Sequence, residues 1–465
     1  MKKALSIILL SVLILTVFTS CTSGSGVTLL NFINSEADAI DMDGKTVSIS
    51  SESDYKDALF EQRANTSMYD AIINRLDEIE KKYNCNIEHI EHAGSPTVIQ
   101  NMMSLAATGD SEIDIIYGHG YNKIGKLAYA GILYPLTDLQ DYIDYTNSEK
   151  FGTAGLLESA MINGVPYAVQ PVQWVGFANS FAFHLVWNTE QFTQFGLPNL
   201  HEYYENKTWT FENFEKLFEA YSAVANEEVD LIAFQQGYFA LTSMYANGVK
   251  MCDYDGNEFY CDIGTDKALY AADWALNIMN TYEDIITYVG SWETDGFVNE
   301  TVLLQPVQVA DATLNLPYNA EFPFSLMPFP SGPDANYGEW ANLVEAIRGF
   351  GISYFSDVPD AAARIINDLC EPFPEVTPTG LYDYYNEQVF YNPIDVEILL
   401  DVGKYTRNFY SVGNETLWQF KDAFHGNQTA AQIISTYKNR IEALVEEYIR
   451  PNFEGYIYDQ LYGNK

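Results

Sequence analysis

The stretch SMYDAIINRLDEIEKKYNCNIEHI, Ser67 to Ile90, switches period partway along. From Ser67 to Tyr83 the apolar residues recur at helical spacing, with Ile72, Ile73, Leu76 and Ile79 on one side. From Cys85 to Ile90 they alternate, as in a strand. A helix leading into a strand is half of an α/β unit, and the flanks supply the rest. Upstream, TVSIS (Thr46–Ser50) reads as a strand. Downstream, PTVIQNMMSLAA (Pro96–Ala107) reads as a helix with Ser95 as N-cap and proline at its first position. Thr108-Gly109-Asp110 ends that helix, and Ile113–Tyr117 reads as a buried strand. Strand, helix, strand, helix, strand at this spacing predicts an open, largely parallel α/β sheet. Ligands of such sheets lie beyond the carboxyl ends of the strands. The loop Tyr117, His119, Tyr121 and Asn122 is therefore a candidate wall of a binding cleft.

The chain is 465 residues long and 47% hydrophobic, enough for two or three domains with real cores. Its formal charge of −40 is spread without a dominant block. A field of that sign argues against nucleic acid and anionic lipid, and for a neutral or cationic ligand. The 34 tyrosines suit a cleft that presents flat faces together with hydroxyls. No set of His and Cys has zinc spacing, so neither metal nor cofactor is expected. Gly-x-Ser-x-Gly, HExxH and Walker A motifs are all missing, and no local motif selects two of the 64 acids as a glycosidase pair. The expectation is a binding protein rather than an enzyme.

Within MCDYDGNEFYC, a Gly256-Asn257 hairpin loop would set Cys252 opposite Cys261, while an Asp255-Gly256 loop would separate them. A disulfide between them depends on the first. Further strands and helices are predicted at FHLVW (Phe183–Trp187), from Thr210 as cap through Ala225, at Lys123–Ala130, Lys267–Met279, Ala361–Cys370 and Ala430–Tyr448.

At the amino end, Met1-Lys2-Lys3 precedes an apolar run from Ala4 to Phe18, then Thr19-Ser20-Cys21. Charge, apolar run and small residues are the marks of an export signal. The junction resembles the lipobox of bacterial lipoproteins, which implies a diacylglycerol on the Cys21 sulfur. Thr22–Gly26 then serves as a flexible tether.

Several later segments, in order, resemble the extracellular solute-binding proteins of ABC importers, the sugar-binding group that includes maltose-binding protein. They are KLAYAGILYPLTDL (Lys126–Leu139), GVPYAVQP (Gly164–Pro171), LVWNTEQFTQFGLP (Leu185–Pro198), WTFENFEKL (Trp209–Leu217), FVN (Phe297–Asn299) and SLMPFPSGP (Ser325–Pro333). Glu300–Leu304 reads ETVLL where that family has a glycine and Ala-Met. The resemblance implies a two-lobed Venus-flytrap α/β fold with a hinge crossed more than once. Its implied plan is a signal peptide to residue 21 and a tether over 22–44. Lobe 1 takes 45–166 with about 306–355, and lobe 2 takes 167–305 with about 356–465, the FVN and SLMPFPSGP segments marking the return to lobe 1. It implies a monomer that captures a carbohydrate and delivers it to ABC permease subunits, touching the membrane through its lipid anchor only. A sensor receptor, a non-sugar solute or a secreted hydrolase are the competing readings. Besides the first loop, the ligand residues expected are Gln170, Gln173 and Trp174 past the hinge, then Trp292, Tyr318, Asn319, Trp340 and Trp418. Trp187 and Trp209 are expected in the core.

Overall fold

The computed structural model describes residues 40–51, 58–60, 62–91, 102, 104, 112–119, 124, 127–128, 130–151, 161–162, 165–174, 182–226, 228–251, 253–254, 259–290, 293–340, 342–344, 348–377, 380–390, 392–403, 406–408 and 415–449. The leader, the tether and Cys21 lie outside them, as does most of the helix expected over 96–107 and of that over 123–130.

Two sheets organise the chain. The first contains β1 (Thr46–Ser51), β2 (Asn86–Glu91), β3 (Ile115–His119) and β4 (Ala168–Val169). The second contains β5 (Ala182–Asn188), β6 (Asp230–Phe234), β7 (Ile286–Tyr288), β8 (Val302–Gln308), β9 (Phe324–Met327) and β10 (Asn342–Val344). The chain then returns to the first sheet as β11 (Arg348–Ile352) and ends in the second as β12 (Thr406–Asn408). Strand order is β2-β1-β3-β11-β4 in lobe 1 and β7-β6-β8-β5-β10-β12 in lobe 2, with β9 also paired to β5. Among the described residues the chain thus passes between lobes three times: after Trp174, between β10 and β11, and between residue 373 and the helix at Leu381–Tyr384.

Local chemistry explains the elements. Helix α1 (Ser67–Tyr83) starts where the Thr66 hydroxyl accepts from the Tyr69 amide, and Lys81 and Lys82 in its last turn suit the dipole. It stops at Asn84, whose φ of 47° is left-handed. Helix α2 (Phe211–Ser222) is capped by Thr210, which accepts from Asn213 N, as the sequence indicated. Helix α3 (Gln236–Ala246) is buried nearly all round, and α4 (Pro359–Leu369) opens on proline.

Each lobe has an aromatic core. In lobe 1, Phe60, Tyr117, Trp174 and Phe350 meet with ring centroids 4.7–6.4 Å apart. In lobe 2, Phe211 stacks on Trp274 at 3.8 Å, beside Phe214 and Phe239. Trp187 and Trp209 are buried in lobe 2, as expected.

The lobe boundaries need correction. Strand β8, expected in lobe 1 from residue 306, pairs along β5, with Leu304 opposite Trp187 and Val307 opposite His184. Strand β9, within SLMPFPSGP, pairs with the other edge of β5, Phe324 opposite Asn188. Both complete the lobe 2 sheet, so the return to lobe 1 falls between β10 and β11. Helix α4 was expected in lobe 2 but packs on α1. Asp368 there accepts from Lys82 Nζ at 2.9 Å and Tyr83 Oη at 2.7 Å.

The small hairpin takes the register of the Gly256-Asn257 loop, with Asp253 opposite Tyr260 and Tyr254 opposite Phe259. Its disulfide is not formed. Cys261 carries a free thiol, pushed by burial up to about 11 and so held protonated, while Cys252 lies outside the described residues.

Candidate functional site at the facing sheet edges

Strand direction shows where a ligand belongs. In lobe 1, β1, β2, β3 and β4 point the same way, and their carboxyl ends lie at Ser51, Glu91, His119 and Val169. In lobe 2, β6, β7, β8, β10 and β12 share a direction, ending at Phe234, Tyr288, Gln308, Val344 and Asn408. The first two crossings leave from these edges, so the carboxyl edges of the two sheets confront each other.

On lobe 1 the edge carries a polar pair that sequence reading missed. Ser51 Oγ and His89 Nε2 lie 2.6 Å apart in a hydrogen bond between β1 and β2. The His89 ring also meets Phe60 edge-on at 5.5 Å. The only signal was the inward alternation of TVSISS and NIEHIE, which does not show that the two strands are neighbours.

On lobe 2, α3 starts directly after β6, and the helix Glu415–Asp422 follows β12. Tyr238 of α3 meets Trp418 of that helix edge-on at 6.2 Å. Lys421 Nζ sits 4.1 Å from the Tyr238 ring centre and 4.8 Å from that of Trp418. Its charge pairs with Asp422 at 3.1 Å. Gly237 is required there, because a Cβ would come within 2.5 Å of the Lys421 carbonyl oxygen. Half-buried Gln235 and Gln236 flank this group.

Beyond β8 the chain makes a π-helical turn, Asp311–Asn315, in which Asn315 Nδ2 donates to Asp311 Oδ1 at 2.7 Å. Such turns are common at functional sites. Tyr288, at the end of β7, is 38% exposed. Burial raises its pKa, with a hydrogen bond to Gln236 opposing, so it is a neutral hydroxyl at ordinary pH.

Of the expected ligand residues, Trp418 is half-buried at this edge, and Tyr318 and Asn319 are exposed just past the π turn. Burial raises the pKa of Tyr384, Tyr318 adds to it, and Ser67 at the start of α1 opposes it. Lobe 2 thus touches lobe 1 there. Gln173 is half-buried and its amide donates to the Glu149 carbonyl. Gln170 and Tyr117 are each 2% exposed.

Like Gln170 and Tyr117, two of the expected tryptophans are enclosed. Trp174 is fully buried in the lobe 1 core, and its indole N–H donates to the Leu369 carbonyl at 3.3 Å. Trp340 is 3% exposed and stacks on Tyr204 at 5.9 Å, with Tyr337 against its edge. Neither offers a face to solvent. Tyr121, Asn122 and Trp292 lie outside the described residues, and of His119 only the backbone is described.

Among the described residues no three His, Cys, Asp or Glu side chains are grouped to hold a metal ion, and no helix is long and apolar enough to cross a membrane. The edges offer hydroxyls, amides and aromatic faces, the groups that pair and stack with a polar, uncharged molecule.

Two α/β lobes, three crossings and facing carboxyl edges define a two-lobed receptor of the maltose-binding-protein type. The chain belongs to the bacterial extracellular solute-binding protein family, whose model matches residues 74–372. Among solved structures, an ABC substrate-binding protein from Listeria monocytogenes in complex with cycloalternan is similar, with TM-score 0.61 at 15% identity over 87% of this chain and 100% of that one. The maltose-maltodextrin binding protein of Alicyclobacillus acidocaldarius gives 0.59 at 13% identity, over 85% and 100%. UgpB from Mycobacterium tuberculosis in complex with glycerophosphocholine gives 0.58 at 14% identity, over 81% and 95%. At these identities the likeness is one of fold. No curated protein sequence matches the chain.

Proposed function

We propose that this protein captures a carbohydrate, an oligosaccharide, between its lobes and delivers it to ABC permease subunits without altering it chemically. The observation that carries the reading is the make-up of the lobe 2 edge. Trp418, Tyr288 and Tyr318 stand with faces at least partly open, beside Gln235, Gln236 and Asn315. Sugar C–H faces lie on aromatic rings, and sugar hydroxyls need paired donors and acceptors. Similar folds bind cycloalternan and, in Streptomyces glaucescens, acarbose, which supports the same class. Closure follows from ligand contacting both edges at once, which stabilises the closed state over the open one.

The protein acts outside the cytoplasm as a monomer, tied to the membrane through lipid on Cys21. Incorporation of a labelled fatty acid that is lost in Cys21→Ala checks the anchor. A second reading, a non-sugar solute, is favoured by the glycerophosphocholine bound to one protein of this fold.

A thermal-shift screen of the chain from residue 22 onward separates the two. A rise in melting temperature with an oligosaccharide, and unchanged glycan on chromatography, supports the proposal. A rise with glycerophosphocholine or a peptide and none across the glycans overturns it.

A further inference from the structure

Of the three crossings that the described residues bracket, two begin in one buried cluster. Arg75 of α1 is 5% exposed, and its guanidinium donates to three backbone carbonyls where α4 ends: Asp368 and Pro372 at 3.0 Å, and Glu371 at 3.4 Å. Carbonyls at the end of a helix lack the regular i+4 partner, so a buried cation is a natural cap for them. The same guanidinium lies 4.3 Å from the centre of the Phe373 ring. Phe373 meets Trp174 at 6.5 Å, and Trp174 donates to the Leu369 carbonyl. Trp174 is the last described residue before the first crossing, and Phe373 stands at the root of the third.

Beyond Phe373 the chain stays anchored for one more turn. The amides of Val376 and Thr377 both donate to the Phe373 carbonyl, at 3.0 and 2.8 Å. Gly380 follows with φ 103° and ψ 169°, immediately before helix α5 (Leu381–Tyr384). Only glycine takes that backbone conformation without strain, although a Cβ there would meet nothing within 4 Å. The position is demanded by backbone geometry and by no packing neighbour.

We propose that Arg75 and Trp174 are positioning residues that bind the lobe 1 roots of the first and third crossings into one rigid block, and that Gly380 is the pivot of the third. The block makes the two crossings turn together, about an axis set by α1 and α4. It thereby sets how far and how often the lobes close, and through that the apparent affinity for solute. The inference rests on the two-lobed receptor reading, but not on the identity of the solute.

The test needs no ligand. Spin labels on ketone-bearing amino acids at positions 73 and 270, exposed on lobe 1 and lobe 2, report the interlobe distance distribution by double electron–electron resonance. Trp174→Phe, which keeps a ring but loses the donor, and Arg75→Met are expected to at least double the width of that distribution. Gly380→Ala is expected to move its mean, with the melting temperature close to that of the parent. If Arg75→Met does not fold, the other two variants carry the test. A distribution unchanged in Trp174→Phe and Gly380→Ala overturns the proposal. So does one that changes only in step with a loss of melting temperature, since a purely structural role would do that. Failure of every glycan in the thermal-shift screen would leave these distances as they are, so the two readings fail separately.

Discussion

Trp174 and Trp418 occupy comparable places in the two lobes, each just beyond the carboxyl edge of its sheet, yet their surroundings are opposite. Trp174 is enclosed by Phe60, Tyr117, Phe350 and Phe373, and its N–H is engaged by Leu369. Trp418 is half-buried against Tyr238 and Lys421. Among the described residues, lobe 1 uses its aromatic side chains to build itself up to the edge, where buried Ser51 holds the half-buried His89 ring. Lobe 2 leaves aromatic faces open at its edge. The two edges are thus asymmetric, small and polar on one side and aromatic on the other.

The largest expected effect is on the enclosed tryptophan. Trp174→Ala should lower lobe 1 stability by about 3–5 kcal/mol, the usual cost of emptying a buried aromatic site. Hydrogen exchange resolved to each lobe would show it, and normal protection in lobe 1 would return Trp174 to the cleft wall.

Next is an acid response confined to lobe 2. His184 on β5 is fully buried, and desolvation pushes its pKa down to about 4, with only the Leu399 backbone opposing. The unfolded chain takes up that proton near 6.5 and the folded chain only near 4, so the unfolded state binds more protons in between. Its contribution is intact above pH 6.5 and is lost as pH falls, about 3 kcal/mol by pH 4. His184→Phe should flatten the profile of lobe 2 melting between those values. An equal acid sensitivity in that variant would assign the effect elsewhere.

For the open tryptophan the change should fall on binding. Trp418→Ala should weaken affinity for a glycan found by the screen roughly tenfold, about 1.4 kcal/mol. Calorimetric titration reads this, and unchanged affinity would erase the contrast between the two tryptophans. The smallest effect belongs to the polar side. His89, the half-buried member of the pair, carries it. His89→Phe should cost roughly 1 kcal/mol of affinity, the typical worth of one hydrogen bond, with a larger loss for glycans that keep the contacted hydroxyl than for deoxy analogues.

Local features were legible in the sequence to the residue. Helix α1 spans Ser67–Tyr83 as its periodicity indicated, Thr210 caps α2, and the hairpin adopts the register of a Gly256-Asn257 loop. These depend on side chains a few positions apart. The return point did not emerge, because VLLQPVQ and FSLM read as buried strands in either lobe, and only pairing with β5 decides which. Trp174 misled for a related reason. Its neighbours in sequence are polar and glycine-bearing, while Phe60, Phe350 and Phe373, which enclose it, come from distant parts of the chain. Ser51 and His89 were missed because a diagonal contact between parallel strands leaves no local trace.

The position of β11 has a consequence for how the protein is made. It lies between β3 and β4, so the lobe 1 sheet stays split until Arg348–Ile352 arrives. Strand β5 likewise waits for β8 and β9. A chain that leaves the cytoplasm amino end first cannot finish either lobe until most of it has crossed. Long-range pairing is slow to form, so the emerging chain stays threadable for longer. The interleaving that joins the lobes also delays folding until the protein is on the side of the membrane where it works.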